Sequence, residues 1–185
     1  MEPIEQLDIV VPALADVVKG IRPDQLDNPT PCSEWKVRDV LAHFAGGASS
    51  SIAAFQDGTP VDVTPRPDLL GDDPRATVTE LFDEFGGIVH SPGALDRTVT
   101  LPFGDLPAPA FFQFLTFDLM THTWDLATAT GQKYAPPEDL VREADAFARQ
   151  AIAPEMRGFI FDEPTPEPAG ASPLECLLAY TGRRP

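Results

Sequence analysis

Residues 108–130 restrict the fold of this chain more than any other segment, because they are apolar on nearly every side. A helix that is apolar all round has to lie in the protein interior. This one nevertheless carries Asp118, His122 and Asp125, whose spacings of four and three place them on one face of a helix. Burying an unpaired carboxylate is costly. The segment therefore predicts a central helix, closed by Gly131, in which something compensates these charges.

The rest of the chain predicts further helices packed around this one. Hydrophobic residues recur every three or four positions in two long N-terminal segments, in a third segment that starts with Pro74, and near the C-terminus. Residues 97–109 alternate and turn at Gly104, which predicts a short hairpin. A chain of 185 residues suits one domain. We expect residues 1–185 to form a single all-α domain, a bundle of at least four long helices with a hairpin and extra C-terminal helices. The predicted helices span residues 4–21, 36–56, 74–89, 108–130 and 137–156, with a last short helix in the tail.

Charge and composition exclude several classes of function. The net charge of −16 repels phosphate backbones and anionic lipids, so neither nucleic acid nor a membrane is an expected partner. No apolar run is long enough to cross a bilayer, and the N-terminus lacks the pattern of a signal peptide. We therefore expect a cytoplasmic protein whose two cysteines are free thiols.

Two of the three histidines end the same local pattern. The sequences "DVLAH" and "DLMTH" place Asp39 four residues before His43 and Asp118 four residues before His122. Such a pair is often only a local hydrogen bond or an exposed ion pair. In buried helices it also suits a divalent metal, because imidazole nitrogen and carboxylate oxygen are ligands of Zn²⁺ and also of Ni²⁺, Mn²⁺ or Fe²⁺. We predict a metal held by His43, Asp118 and His122, with open positions for water or substrate.

Three stretches resemble one known family. They are "TPCSEWKVRDVLAHFAGG", "DLMTHTWDLATATG" and "ASPLECLLAYTGRRP". Together they are similar to the DinB/YfiT-like metalloenzymes, in the branch related to the N-terminal domain of mycothiol-dependent maleylpyruvate isomerase. The resemblance implies a four-helix bundle in up-down-down-up order. It also implies zinc or nickel bound by the residues that match the family motif, His43, Asp118 and His122. The relatives usually carry Glu at the position of Asp118.

The resemblance further implies an enzyme that uses a small thiol. The metal would bind mycothiol as its thiolate and present it to a small electrophile, in a transferase or isomerase reaction. No catalytic residue beyond the metal ligands is predicted. A non-catalytic metal-binding or interaction bundle and a metal-dependent hydrolase are the alternatives, and a homodimer formed through a helix face is left open.

Other polar residues near these motifs have more than one interpretation. His90, at the end of the third helix, is expected to cap that helix or face solvent, with a fourth metal ligand as the alternative. Asp39 is either a surface residue at a helix start or a support for a ligand. Asp125 is a support, a spare ligand, or the partner of Arg97 or Lys133.

The remaining candidates are a thiol and a set of aromatic residues. Counting along a continuous helix places Cys32 roughly 16 Å from His43, which excludes it from the metal. Trp35 and Trp124 are expected in the core. A cluster of phenylalanines is expected in the core as well, with the lining of a pocket as the alternative. The cluster consists of Phe111, Phe112, Phe114 and Phe117.

Overall fold

Six helices and one two-stranded hairpin make up the fold, as a computed structural model describing residues 1–185 shows. The predicted all-α class is confirmed. The first four long helices match their predicted segments, but the fifth ends at Ala151, before Pro154, and the prediction that it continues to residue 156 is wrong. The elements, in chain order, are α1 (Pro3–Gly20), α2 (Val37–Asp57), α3 (Pro74–Val89), β1 (Thr98–Leu101), β2 (Gly104–Pro107), α4 (Ala108–Thr130), α5 (Glu138–Ala151) and α6 (Pro173–Tyr180). β1 and β2 pair antiparallel. None of the helices is both long and apolar enough to cross a membrane.

Local chemistry explains where the long helices begin and end. Asp73 accepts hydrogen bonds from the first backbone N–H groups of α3, and Pro74 occupies the first helical position, where no N–H is needed. Gly131 ends α4 with φ +70°, a left-handed conformation that a residue with a Cβ adopts at a cost. These ends fix which residues of α4 face the interior.

The core lies between two helix pairs, α1 against α4 and α2 against α3. α4 is the central element, as its composition predicts: several of its large side chains are fully buried, among them Phe112, Phe117 and Leu126. Residues 58–73 connect α2 to α3. The 21 residues of α2 extend about 31 Å, and this connection is long enough to run back along that length. The up-down-down-up order requires such a return, because α2 and α3 point in the same direction.

The connection between α2 and α3 packs tightly on α2. The backbone N–H of Arg66 donates to the carbonyl of Ala42 at 3.0 Å. A Cβ on Gly46 would lie only 2.8 Å from the carbonyl oxygen of Thr64, so only glycine allows this approach. Further along, Val61 donates its N–H to the β1 residue Thr100 at 2.8 Å. The connection therefore forms a fixed wall beside the middle of α2.

The end of α6 turns the chain back toward α4. Gly182 has φ +93°, and its N–H donates to Ala179 at 3.1 Å while the N–H of Arg183 donates to Leu178 at 2.8 Å. This pair of bonds is the Schellman arrangement that commonly closes a helix with glycine. The turn directs Arg183 into the interior, where it is only 7 % exposed.

Candidate metal centre

The three predicted metal ligands lie together at the inner end of a cavity. Nε2 of His43 is 3.1 Å from Oδ2 of Asp118, and Nε2 of His122 is 3.8 Å from the other oxygen of that carboxylate. One ligand atom from each of the three residues lies within 4.8 Å of the others. The i,i+4 spacing on α4 places Asp118 and His122 side by side, and α2 supplies His43 from the facing side.

The charges of this group follow from burial and from its neighbours. Burial raises the pKa of Asp118, but the electrostatic interaction and hydrogen bond with His43, together with His122 and Arg183, outweigh it and hold the pKa at about 2. Burial is also the largest influence on His122 and lowers its pKa, although the hydrogen bond to Asp125 opposes that shift. At neutral pH the carboxylate is therefore ionised and the His122 ring is neutral.

Asp125 and Arg183 hold the other side of the His122 ring. Oδ2 of Asp125 lies 3.0 Å from Nδ1 of His122 and accepts a hydrogen bond from Nη2 of Arg183 at 2.8 Å. The Arg183 guanidinium also donates to the carbonyl of Thr181 at 2.8 Å. Asp125 is thus a supporting residue, as one interpretation predicts, but Arg97 and Lys133 are the wrong partners. With Nδ1 bonded to a carboxylate, Nε2 of His122 is left facing Asp118.

Aromatic rings hold the histidines in place on their remaining sides. Trp35 stacks on His122, with ring centroids 5.4 Å apart and an interplanar angle of 11°, and lies 5.3 Å from His43. Phe44 packs against both histidine rings. Nδ1 of His43 is buried without a hydrogen-bond partner, so packing and the contact of Nε2 with Asp118 orient that ring. Trp35 packs against the core as predicted, although it is only half-buried at the site. Trp124 is half-buried and does not belong to the core cluster, so its predicted position is wrong.

Cys32 lies beside this group, contrary to the prediction. Its sulfur lies within 4.8 Å of ligand atoms of His122 and Asp125. The estimate of 16 Å is wrong because α2 begins only at Val37, and the preceding residues form a turn in which Glu34 has φ +64°. In that turn the N–H of Trp35 donates to the carbonyl of Cys32 at 3.0 Å, which folds the loop back over α4.

The group formed by Cys32, His122 and Asp125 is the poorer cation site. Burial raises the pKa of the Cys32 thiol to about 12, so it is protonated at neutral pH. Asp125 already pairs with the buried guanidinium of Arg183. A metal there would have to displace that cation, whereas Asp118 forms no ion pair with Lys or Arg and pairs only with the two histidines.

Two other candidates lie away from the centre. The carboxylate of Asp39 accepts a hydrogen bond from the N–H of Lys36 at 2.9 Å, so it caps the start of α2, and its alternative interpretation as a support for a ligand is wrong. His90 ends α3 and pairs with Asp8 at 2.9 Å on the surface. Its capping interpretation is confirmed and the fourth-ligand alternative is wrong.

A cavity of about 380 Å³ opens from the metal-ligand group. Its walls come from α2, α3, α4, the hairpin, the α2–α3 connection and residues 158–162. Phe111, Phe112, Phe114 and Phe117 all belong to the core, and all but Phe112 also line the cavity, so both interpretations of that cluster hold. Sequence reasoning missed Arg183 and residues 158–162. The one available signal for Arg183 was the glycine before it, which marks a helix end that reverses the chain.

Comparison with known proteins places the fold and the family. Two uncharacterized proteins from two strains of Mycobacterium tuberculosis are each 34 % identical over 185 residues, covering 99 % of this chain and 98 % of theirs. Two crystal structures share the fold, those of mycothiol-dependent maleylpyruvate isomerase and of a histidine-to-alanine mutant of it. Their TM-scores are 0.59 and 0.60, at 13 % and 14 % identity, and the match covers 76 % of this chain but 65 % of theirs.

A family model extends the comparison to the site. The model of the mycothiol maleylpyruvate isomerase N-terminal domain matches residues 7–127, which include His43, Asp118, His122 and Asp125. Arg183 and residues 158–162 lie outside the matched region, although they complete the cavity. Because the match spans more than half of the chain, the protein belongs to the mycothiol maleylpyruvate isomerase N-terminal domain family.

Proposed function

We propose that the protein is a divalent-metal-dependent enzyme that presents a small thiol to an electrophile, as a thiol transferase or an isomerase of that kind. The observation that carries the proposal is the convergence of His43, Asp118 and His122 at the polar end of an otherwise apolar cavity. Membership of the family supports mycothiol as the thiol, since the family and the isomerase of the same fold are named for it.

The residues present fit a metal ion. Zinc binds imidazole nitrogen and carboxylate oxygen at about 2.0–2.2 Å. Nε2 of His43 and Nε2 of His122 lie 3.1 and 3.8 Å from the two different oxygens of Asp118, near enough for one ion to reach all three side chains. One carboxylate oxygen of Asp118 faces His43 and the other faces His122. The Asp118 side chain therefore reaches both histidines, although it is one methylene shorter than the Glu that relatives usually carry. Three protein ligands leave positions open, as in catalytic zinc sites. Zinc is the first candidate and nickel the second, because imidazole and carboxylate suit both.

The chain's own residues prepare this site for chemistry. The low pKa of Asp118 and the lowered pKa of His122 keep both in their metal-binding protonation states at neutral pH. Asp125 and Arg183 fix the tautomer and the orientation of His122. A divalent cation held there lowers the pKa of a bound thiol and so supplies a nucleophile near neutral pH. The mostly apolar walls surround the polar end with groups of low polarity, which strengthens electrostatic interactions there.

Metal content tests the first half of this proposal. Elemental analysis of the purified full chain should find one zinc or nickel ion per chain. His122→Ala should lose it, because a ligand is removed. His90→Ala is the matched control and should keep the metal, since His90 lies on the surface with Asp8. Metal content unaffected by His122→Ala would show that the assigned ligands are wrong.

Thiol conjugation tests the second half. With mycothiol and 1-chloro-2,4-dinitrobenzene, the sulfur should bond to the ring carbon as chloride leaves. The rate should fall at least about 100-fold with a chelator and return on addition of zinc. Metal-dependent cleavage of an ester without any thiol would favour the hydrolase interpretation instead. A bound metal with neither activity would leave a non-catalytic metal-binding bundle.

A further inference from the structure

Beyond the metal-ligand group, most of the side chains that line the cavity are aromatic or aliphatic. Nine of the chain's twelve phenylalanines line it. Phe114 and Phe117 pack edge to face with ring centroids 4.9 Å apart, and Phe103 of the hairpin packs on Phe114 at 5.4 Å. A volume of about 380 Å³ is near the lower end of the range for small-molecule sites, so it admits a molecule of one or two rings.

The same cavity offers no free positive side chain. Arg183 is its only Lys or Arg, and the guanidinium is committed to Asp125 and to the carbonyl of Thr181. Asp162, which also lines the cavity, adds negative charge, and Asp118 does so as well when no metal is bound. An anion that enters the apolar part therefore loses its hydration without gaining a partner, which is unfavourable for a carboxylate.

The mouth of the cavity carries an unpartnered apolar side chain. Phe159 belongs to the lining, yet it is 86 % exposed, which is unusual for a phenylalanine. It follows Gly158, whose N–H donates to the carbonyl of Phe161 at 2.7 Å in a tight turn. An apolar molecule seated in the cavity would cover part of the Phe159 ring and remove that apolar surface from water, which favours binding.

From these observations we infer that the electrophile this enzyme takes is an uncharged molecule of one or two aromatic rings, and that carboxylates are rejected. The inference rests on the proposed function in one respect: the thiol takes the open metal position, so the electrophile occupies the phenylalanine-lined part. Specificity then comes from ring packing and from the absence of a cation. The reacting carbon is held next to the polar end.

A matched pair of ligands tests the inference. Methyl 3-phenylpropanoate and 3-phenylpropanoate share a ring and a chain and differ in charge, and neither reacts with a thiol. Two states of the full-length protein are titrated by calorimetry: the zinc-loaded protein with saturating mycothiol, and the protein treated with a chelator. In both states the ester should bind at least about tenfold more tightly than the acid. Equal affinities, tighter binding of the acid, or no binding of the ester at millimolar concentration would overturn the inference.

Two variants of the α2–α3 connection sharpen the test. Val63 lines the cavity and is half-buried, so Val63→Arg should raise the affinity for 3-phenylpropanoate at least about fivefold by supplying the missing cation. Thr64→Arg makes the same charge change next to it on an exposed residue outside the lining and should leave that affinity within about twofold. Equal effects of the two variants would show that the cavity does not exclude the anion by lack of a partner.

Zinc content keeps the two proposals apart. Protein that binds no zinc but prefers the ester would refute the metal assignment and support the ligand preference. Protein that binds zinc through His122 but prefers the acid would support the metal assignment and overturn the inference about the electrophile.

Discussion

The buried ion pair between Asp125 and Arg183 makes a stability prediction with a clear sign and size. The Asp125 side chain is 0 % exposed and that of Arg183 is 8 % exposed. Arg183→Met removes the guanidinium and leaves a buried carboxylate. Losing one partner of a buried pair costs about 3–5 kcal/mol. We expect about 3 kcal/mol, because Asp125 keeps its hydrogen bond with Nδ1 of His122 at 3.0 Å. This corresponds to a fall in Tm of about 6–12 °C for a protein of this size.

Urea unfolding followed by far-UV circular dichroism measures this change, with Arg184→Met as the control. Arg184 is the next residue and is exposed, so its loss should change the free energy of unfolding by no more than about 0.5 kcal/mol. Asp125→Asn should cost about as much as Arg183→Met, because it leaves a buried guanidinium without its charge partner.

The double variant Asp125→Asn/Arg183→Met completes a mutant cycle. It removes both charges, so its loss in free energy of unfolding should be at least about 2 kcal/mol smaller than the sum of the losses in the two single variants. Strictly additive costs, or an Arg183→Met variant as stable as Arg184→Met, would show that this pair does not hold the end of α6 against α4. The conclusion that Asp125 and Arg183 hold the His122 ring in place would then be wrong as well.

Three further predictions concern protonation and backbone conformation. Because burial lowers the pKa of His122 below its ordinary 6.5, the unfolded chain takes up that proton first as the pH falls. The metal-free protein should therefore lose stability below about pH 6.5, and urea midpoints at successive pH values should show a shallower loss in His122→Gln. Burial raises the pKa of Cys32 to about 12. In a Cys176→Ser variant, iodoacetamide at pH 8 should therefore alkylate Cys32 about a thousandfold more slowly in the folded protein than in the unfolded chain. Equal alkylation rates in the two states would contradict this. Gly182→Ala should lower the free energy of unfolding by about 1–3 kcal/mol, because alanine at φ +93° is strained. The same variant should displace Arg183 and so weaken zinc binding, which a metal titration measures.

The helices could be predicted because each carries its own signals. The hydrophobic repeat gives the buried face of α1 and α3, Pro74 marks a start, and Gly131 marks an end. α4 shows no polar face, and its apolar composition alone identifies it as the central helix. The proximity of His43 to Asp118 and His122 could be predicted as well, since each lies on the inner face of a helix in a small bundle.

The loop before α2 could not be predicted by extending a helix backwards. Counting from Cys32 to His43 assumes helical geometry for residues 32–36. The observed turn depends on a left-handed Glu34 and on Thr30, whose hydroxyl donates to the carbonyl of Trp35 at 2.8 Å. A non-glycine residue with positive φ is uncommon, and nothing in the local sequence demands it. The contact between Trp35 and His122 stabilises this turn from outside the segment.

Arg183 illustrates the same limit over a longer distance. The buried Asp125 requires a cation, but the chain holds thirteen Lys and Arg residues, and spacing favours those near in sequence. Arg183 lies 58 residues away and reaches Asp125 only because α6 packs on α5, which packs on α4, before the glycine turn reverses the chain. Which cation pairs with Asp125 is therefore decided by topology and not by any pattern within the segment.

These contacts together explain why the polar residues of α4 tolerate burial. His43 from α2 contacts the carboxylate of Asp118, and Trp35 from the loop before α2 stacks on His122. Arg183 from the C-terminal end of the chain pairs with Asp125. Each compensating group comes from a different part of the chain, so α4 reaches its buried position without a large electrostatic penalty only when all of them are in place. The polar face that gives the cavity its chemistry thus depends on the complete fold, including residues beyond the region that the family model matches.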